Sequence, residues 1–265
     1  MVDFRVAEAL NGVMTPRRLA SLAIALFACG SAQAMVGGAP PAGDLGRAVV
    51  MLVGSKGTSC SGVALARDLV LTAGHCVMPG ADYKLVEFDA ARSPQLRDIA
   101  RIALHPGFDA EAAARSRVTA DVALVKLAVP LQVTTLPLDM SDRRASPGDR
   151  FVVVGNGLAV PGDGKSGGTP RRADLVATGQ PGTLQIRLTD PRTMNKAAGL
   201  GACTADSGAP ALRERDGRLV VAGVVSWSTG PNNTAGCGGL TGVTPLIRYR
   251  GWIVETAGKL GAALR

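Results

Sequence analysis

Leu71-Thr72-Ala73-Gly74-His75-Cys76 is the stretch on which the reading of this chain turns. Asp68-Leu69-Val70-Leu71 leads into it, a short apolar run with the pattern of a buried strand, ending at a histidine and a cysteine. Two later segments supply what a lone histidine lacks. Asp121 opens Asp121-Val122-Ala123-Leu124-Val125-Lys126-Leu127, and Ser207 sits in Cys203-Thr204-Ala205-Asp206-Ser207-Gly208-Ala209-Pro210. A serine hydroxyl is a poor nucleophile at neutral pH and needs a base to take its proton. Histidine is such a base, and an aspartate fixes its tautomer and stabilises the imidazolium. His, Asp, Ser is one of three chain orders in which this acyl-transfer chemistry is built. Each segment alone is ordinary: a satisfied polar group at a strand end, a buried strand, a turn. Their joint occurrence in that order, with cysteines beside the first and third, is the signal.

From about Met35 to Ile253 the chain resembles the trypsin-like serine proteases of the bacterial secreted type. The spacing is similar too, with 46 residues from His75 to Asp121 and 86 from Asp121 to Ser207. The resemblance implies an all-β fold of two six-stranded antiparallel barrels with the active site between them and a C-terminal helix. It assigns His75 and Asp121 to the first barrel and Ser207 to the second, with Ser226 supporting the aspartate. The backbone N–H groups of Ala205 and Ser207 would form the oxyanion hole. Gly201, six residues before the serine, would floor the primary pocket, with Ser226, Trp227 and Ser228 on one wall and Gly242 or Thr241 on the other. No aspartate stands at that floor, and an uncharged pocket does not compensate a buried cation. Cleavage after small or medium uncharged residues is therefore expected.

One departure bears on activity. The family usually reads Gly-Asp-Ser-Gly-Gly-Pro, where this chain reads Ala205-Asp206-Ser207-Gly208-Ala209-Pro210. Alanine keeps the N–H donor, but its Cβ restricts the backbone. A second class of function thus stays open, a catalytically weakened homologue acting as a binding protein. A hydrolase with a G-x-S-x-G elbow is disfavoured, because that fold orders Ser before Asp and His.

The segment Met35-Val36-Gly37-Gly38 looks like the one that, once freed, enters the second barrel and pairs its ammonium with the aspartate before the serine, here Asp206. Arg17-Arg18, the apolar run Leu19 to Cys29 and the A-x-A site Ala32-Gln33-Ala34 read as a signal peptide over 1–34, with Met14 an alternative start. The run is too short to span a bilayer. The chain is then secreted or periplasmic, with a lipid anchor through Cys29 the lesser reading. Leader removal would also be the activating cut.

Four further cysteines, Cys60, Cys76, Cys203 and Cys237, form an even set and read as two disulfides. Three pairings are open from the count alone; the resemblance selects Cys60–Cys76 and Cys203–Cys237. No C-x-x-C or close His/Cys spacing supports zinc, and neither metal nor organic cofactor is expected. The net charge of +8 over 265 residues is scattered and not interleaved with aromatics, so nucleic acid is not an expected partner. Expected partners are protein or peptide substrates and protein protease inhibitors, and the chain is read as a monomer.

Short apolar runs punctuated by Gly, Pro, Asp and Asn predict twelve strands in two sets of six. The first set runs from Ala48–Val53 to Val122–Leu127, the second from Phe151–Val154 to Gly242–Leu246. This gives a peptidase domain over 35–265, with barrels at about 35–140 and 150–250 joined by the polar Met140–Asp149. A helix is expected over Trp252–Ala263, and the glycine-rich Pro161–Pro170 reads as a mobile loop. His105, before Pro106, reads as structural.

Overall fold

The structure is a computed structural model that describes residues 35–88, 93–115, 117–179 and 184–264. The signal-peptide reading of 1–34 lies outside them. Val49–Gly54 (β1), Ser59–Ala66 (β2), Leu69–Thr72 (β3), Tyr83–Phe88 (β4), Pro94–Leu104 (β5) and Ala123–Leu127 (β6) close a barrel in the order β1-β2-β3-β6-β5-β4. Arg150–Gly155 (β7), Arg171–Ala177 (β8), Ile186–Thr189 (β9), Pro210–Arg215 (β10), Arg218–Ser228 (β11) and Thr241–Pro245 (β12) close a second, in the order β10-β11-β12-β9-β8-β7. Each strand of one barrel has the same neighbours as its counterpart in the other, and the pairings are antiparallel. Closure removes the edges on which such strands would otherwise aggregate.

The short apolar runs of the sequence build the cores. Leu52, Val70, Leu85 and Val125 fill the first barrel. Phe151, Val153, Leu175, Leu188 and Met35 fill the second. A third cluster joins them: Val63, Leu71 and Leu124 of the first barrel meet Leu212, Val224 and Leu246 of the second. Full burial of a Leu or Phe contributes about 1.5–3 kcal/mol, so this seam holds the cleft between the barrels together.

A helix (α2) spans Arg250–Lys259 and lays Ile253 and Ala257 on that seam. It ends short of the expected Ala263 because Gly261 takes φ +76. The N–H of Gly261 donates to the Gly258 carbonyl and that of Ala262 to Ala257, which closes the last turn. The His105 ring packs edge-on against Tyr249 and Trp252, 5.0 and 4.9 Å between centroids, in keeping with its structural reading. β5 starts five residues before the predicted Ile99, because Pro94–Asp98 is exposed and carries no apolar pattern. Within Pro161–Pro170, Gly164–Ser166 forms a 3-10 turn whose buried Ser166 accepts from the Val160 N–H at 3.1 Å. A five-residue helix, α1 (Ala110–Ala114), is capped by the Asp109 carboxylate.

The connection before β7 is pinned by a buried ion pair. The Arg213 guanidinium donates to Asp139 and to Ser141 Oγ, and both charged groups are under a tenth exposed. Burial pushes the Asp139 carboxyl up, but bonds from Ser141 and Arg213 outweigh this and leave it below its ordinary value. Its stabilisation is therefore present above the unfolded carboxylate range and is lost as pH falls through the lower folded value. Arg213→Ala should destabilise the fold by about 3–5 kcal/mol, because it strands a buried carboxylate. Urea denaturation at neutral pH measures this; an unchanged midpoint would show that the pair contributes nothing.

Candidate active site

β3 delivers His75 on a 3-10 turn, Gly74–Val77, that the disulfide Cys60–Cys76 ties to β2. Asp121 precedes β6, the strand hydrogen-bonded to β3, so the two side chains meet by register. Asp121 Oδ1 accepts from the His75 backbone N–H at 2.9 Å, and Oδ2 lies 2.8 Å from His75 Nδ1. Oδ2 also accepts from Ser226 Oγ at 2.5 Å. Burial pushes the Asp121 carboxyl up; bonds from His75 and Ser226 more than offset it, and the net shift is downward. An ionised carboxylate only accepts, so Nδ1 carries a proton, and in the neutral ring the lone pair lies on Nε2. Ser226 reaches Asp121 from the other barrel because β11 bulges there: Val225 pairs with Val243 and Trp227 with Gly242, leaving Ser226 as the extra residue.

Ser207 sits at a turn held from both barrels. Its carbonyl accepts from the Ser61 N–H at 2.8 Å, and the Gly208 N–H donates to the Val225 carbonyl at 2.7 Å. Gly208 has φ +82, and a Cβ there would lie 2.1 Å from Thr72 Oγ1 and 2.2 Å from the Ser61 carbonyl. Only glycine fits, which is the physical content of the Ser-Gly pair. The described hydrogen bonds link His75, Asp121 and Ser226; none links Ser207 Oγ to His75. Such contacts are commonly long in a ligand-free site and tighten with substrate.

Ala205 takes φ +71, left-handed for a residue with a Cβ. Asp206 is fully buried. Its carboxylate accepts from the Gly157 N–H at 2.8 Å and the Cys203 N–H at 2.9 Å. Burial pushes its pKa up to about 7 in spite of those two bonds. Met35 is buried in the second-barrel core, and the Val36 N–H donates to the Gly201 carbonyl at 3.2 Å. The described bonds of Asp206 are to backbone N–H groups, not to Met35, whose nitrogen here is an amide.

The pocket residues separate into two groups. His75, Asp121, Ser226, Trp227 and Ser228 line an open cleft of about 630 Å³. Gly201 is not on its wall; it packs against Gly238 and Thr241. The Trp227 indole lies over Gly242 and donates to Gln185 Oε1 at 2.9 Å, while Ser228 stands opposite Thr241. Sequence reasoning passed over Ser61, Gln185, Arg117 and Arg187, which only tertiary contacts bring to the site. Cys203–Cys237 closes the loop that carries Ser207. One cluster of metal-ligating types occurs among the described residues, Cys60, His75 and Cys76. Its sulfurs are bonded to each other, so it offers no thiolate.

Two barrels of one topology, with this constellation between them, define the chymotrypsin fold. A family model described as Trypsin matches residues 35–253, and the chain belongs to the trypsin family. Coagulation factor IX of Cavia porcellus is 25% identical over 201 residues, covering 67% of this chain and 67% of that protein. A vitellin-degrading protease of Bombyx mori is 28% identical over 212 residues, covering 74% and 75%. Among solved structures, human heparin binding protein superposes with a TM-score of 0.63 at 22% identity, covering 82% of this chain and 94% of that one. At that identity the likeness speaks for the fold alone.

Proposed function

We propose that this chain is a serine endopeptidase that works through His75, Asp121 and Ser207. The observation that carries the reading is the ionised Asp121 bonded to His75 Nδ1, which leaves Nε2 as the ring nitrogen available to act as a base. In the proposed reaction Ser207 Oγ attacks the scissile carbonyl as His75 takes its proton. The developing oxyanion is held by the N–H groups of Ala205 and Ser207. His75 then passes the proton to the leaving amine, and water repeats the sequence on the acyl-enzyme. The two disulfides fit an exported protein. Among the described residues no helix is long and apolar enough to cross a membrane.

The Cβ of Ala205, which makes its left-handed backbone costly, keeps a second reading open, a weakened homologue that binds rather than cleaves. Labelling by an organophosphate separates the two. One equivalent incorporated at Ser207 requires an assembled nucleophile and hole, and no incorporation at any pH would sink the peptidase reading.

The cleft carries a substrate prediction. Its walls include Met78, Val118 and Trp227, and its lining also includes Arg117 and Arg187. Neither arginine belongs to the ion pairs of the described residues. A peptide library should show small or medium apolar residues at the cleaved position and an acidic residue further along the acyl side. Arg117→Ala combined with Arg187→Ala should lower kcat/KM for acidic peptides by about tenfold and for neutral ones by less than about twofold, with the difference shrinking in salt. A preference for Arg or Lys at the cleaved bond would overturn the pocket assignment.

A further inference from the structure

Ala205 poses a question that the reaction scheme does not answer. A left-handed backbone disfavours a residue with a Cβ, so something must hold Ala205 there. The only side chain that bonds the Ala205 carbonyl among the described hydrogen bonds is Ser61, on β2 of the opposite barrel. Ser61 is fully buried, and its Oγ has two partners. It accepts from the Asn156 N–H at 3.0 Å and lies 2.9 Å from the Ala205 carbonyl. The direction is forced. Asn156 N–H can only donate and a carbonyl can only accept, so the one hydroxyl proton must point at Ala205.

That proton acts on a specific peptide unit. The Ala205 carbonyl belongs to the peptide joining Ala205 to Asp206. The Asp206 N–H at the other end of the same unit donates to the Cys203 carbonyl at 3.1 Å. The plane is therefore clamped at both ends, by the first barrel at its oxygen and by the second at its nitrogen. The Ser61 backbone N–H also bonds the Ser207 carbonyl. One residue thus holds both neighbours of Asp206. We propose that Ser61 is a positioning residue for the oxyanion hole, its hydroxyl holding Ala205 in the left-handed conformation that aims the Ala205 amide at the reacting carbonyl. This rests on the peptidase reading above. It also links two positions: Ser61 is needed because residue 205 is alanine, and a glycine at 205 would need no such hold.

The linkage is what an experiment reads. In protein beginning at Met35, Ser61→Ala should lower kcat by roughly tenfold or more and change KM by less than about twofold, since the lost hold matters where negative charge develops. In the Ala205→Gly background the same substitution should change kcat by less than about threefold. Unchanged kcat in Ser61→Ala overturns the proposal. So does an equal fall in both backgrounds, which would make Ser61 a plain tie between barrels. A second measurement needs no activity: amide hydrogen exchange at Asp206 should quicken at least about tenfold in Ser61→Ala while the β3 amides keep wild-type protection. Unaltered exchange at Asp206 overturns the clamp. Wild-type protein that takes up no organophosphate would end the peptidase reading instead, and the exchange result would still decide what Ser61 holds.

Discussion

Ser207→Ala and His75→Ala are each expected to lower kcat on a peptide substrate by about 10⁴-fold or more and to leave the urea midpoint close to wild type. The size follows from the division of labour in the site. In the proposed reaction no atom forms the acyl-enzyme without Ser207, and its proton has nowhere to go without His75. Neither side chain belongs to the three hydrophobic clusters, so the barrels should not notice the loss. The double variant should be no slower than either single one, because the two act as a unit. Asp121→Asn is the informative companion. An amide can donate to Nδ1 as well as accept, which permits the wrong tautomer, so a fall of similar order is expected. Full activity in purified Ser207→Ala would remove the nucleophile from the scheme.

The second large effect is expected at the N-terminus. Asp206 is sealed in the second barrel, and its pKa is pushed up to about 7 when only backbone N–H groups face it. In the proposed activation a freed Met35 ammonium pairs with Asp206; the neighbouring Val36 is bonded to Gly201 beside the same barrel. Protein carrying extra residues before Met35 should fold but be at least about a hundredfold less active than protein trimmed to Met35, as an unpaired buried carboxylate costs several kcal/mol. The pH dependence has a definite sign. In the extended form the folded pKa of Asp206 is raised, so its contribution to stability is fully present below the ordinary carboxylate value near 4 and is lost as pH rises through about 7. The trimmed form, with an ammonium partner, should lack that decline. Urea midpoints of both forms between pH 4 and 8 test this. Parallel curves, or equal activity with the N-termini verified by mass, would show that Asp206 has another partner.

The barrels were legible because closed antiparallel sheets leave a regular trace. β3 is buried throughout, β8 alternates in burial, and turn residues punctuate the chain between strands. The exposed start of β5 left no trace, because a strand facing solvent on both sides follows no apolar pattern. Gly261 did announce the end of α2, and the helix was overrun by reading its apolar spacing alone. At the site, the residues with intrinsic chemistry stood out: His75, Asp121, Ser207 and the four cysteines. What sets their geometry did not. The bulge that turns Ser226 toward Asp121 is a property of register between two strands. Ser61 looks like any strand serine until Ala205, 144 residues away, is folded against it. Arg117 and Arg187 share one cleft only because a loop of the first barrel faces β9 of the second.

Gly208 ties catalytic competence to the order in which the molecule assembles. Thr72 and Ser61 leave no room for a side chain on it, so the turn bearing Ser207 takes its shape from the other barrel. A second barrel synthesised and folded before docking has no template for that turn. A nascent or half-folded chain would therefore carry a serine and a histidine but no working site. If the proposed peptidase reading holds, the molecule would stay harmless to its own unfolded segments until the last long-range contacts close.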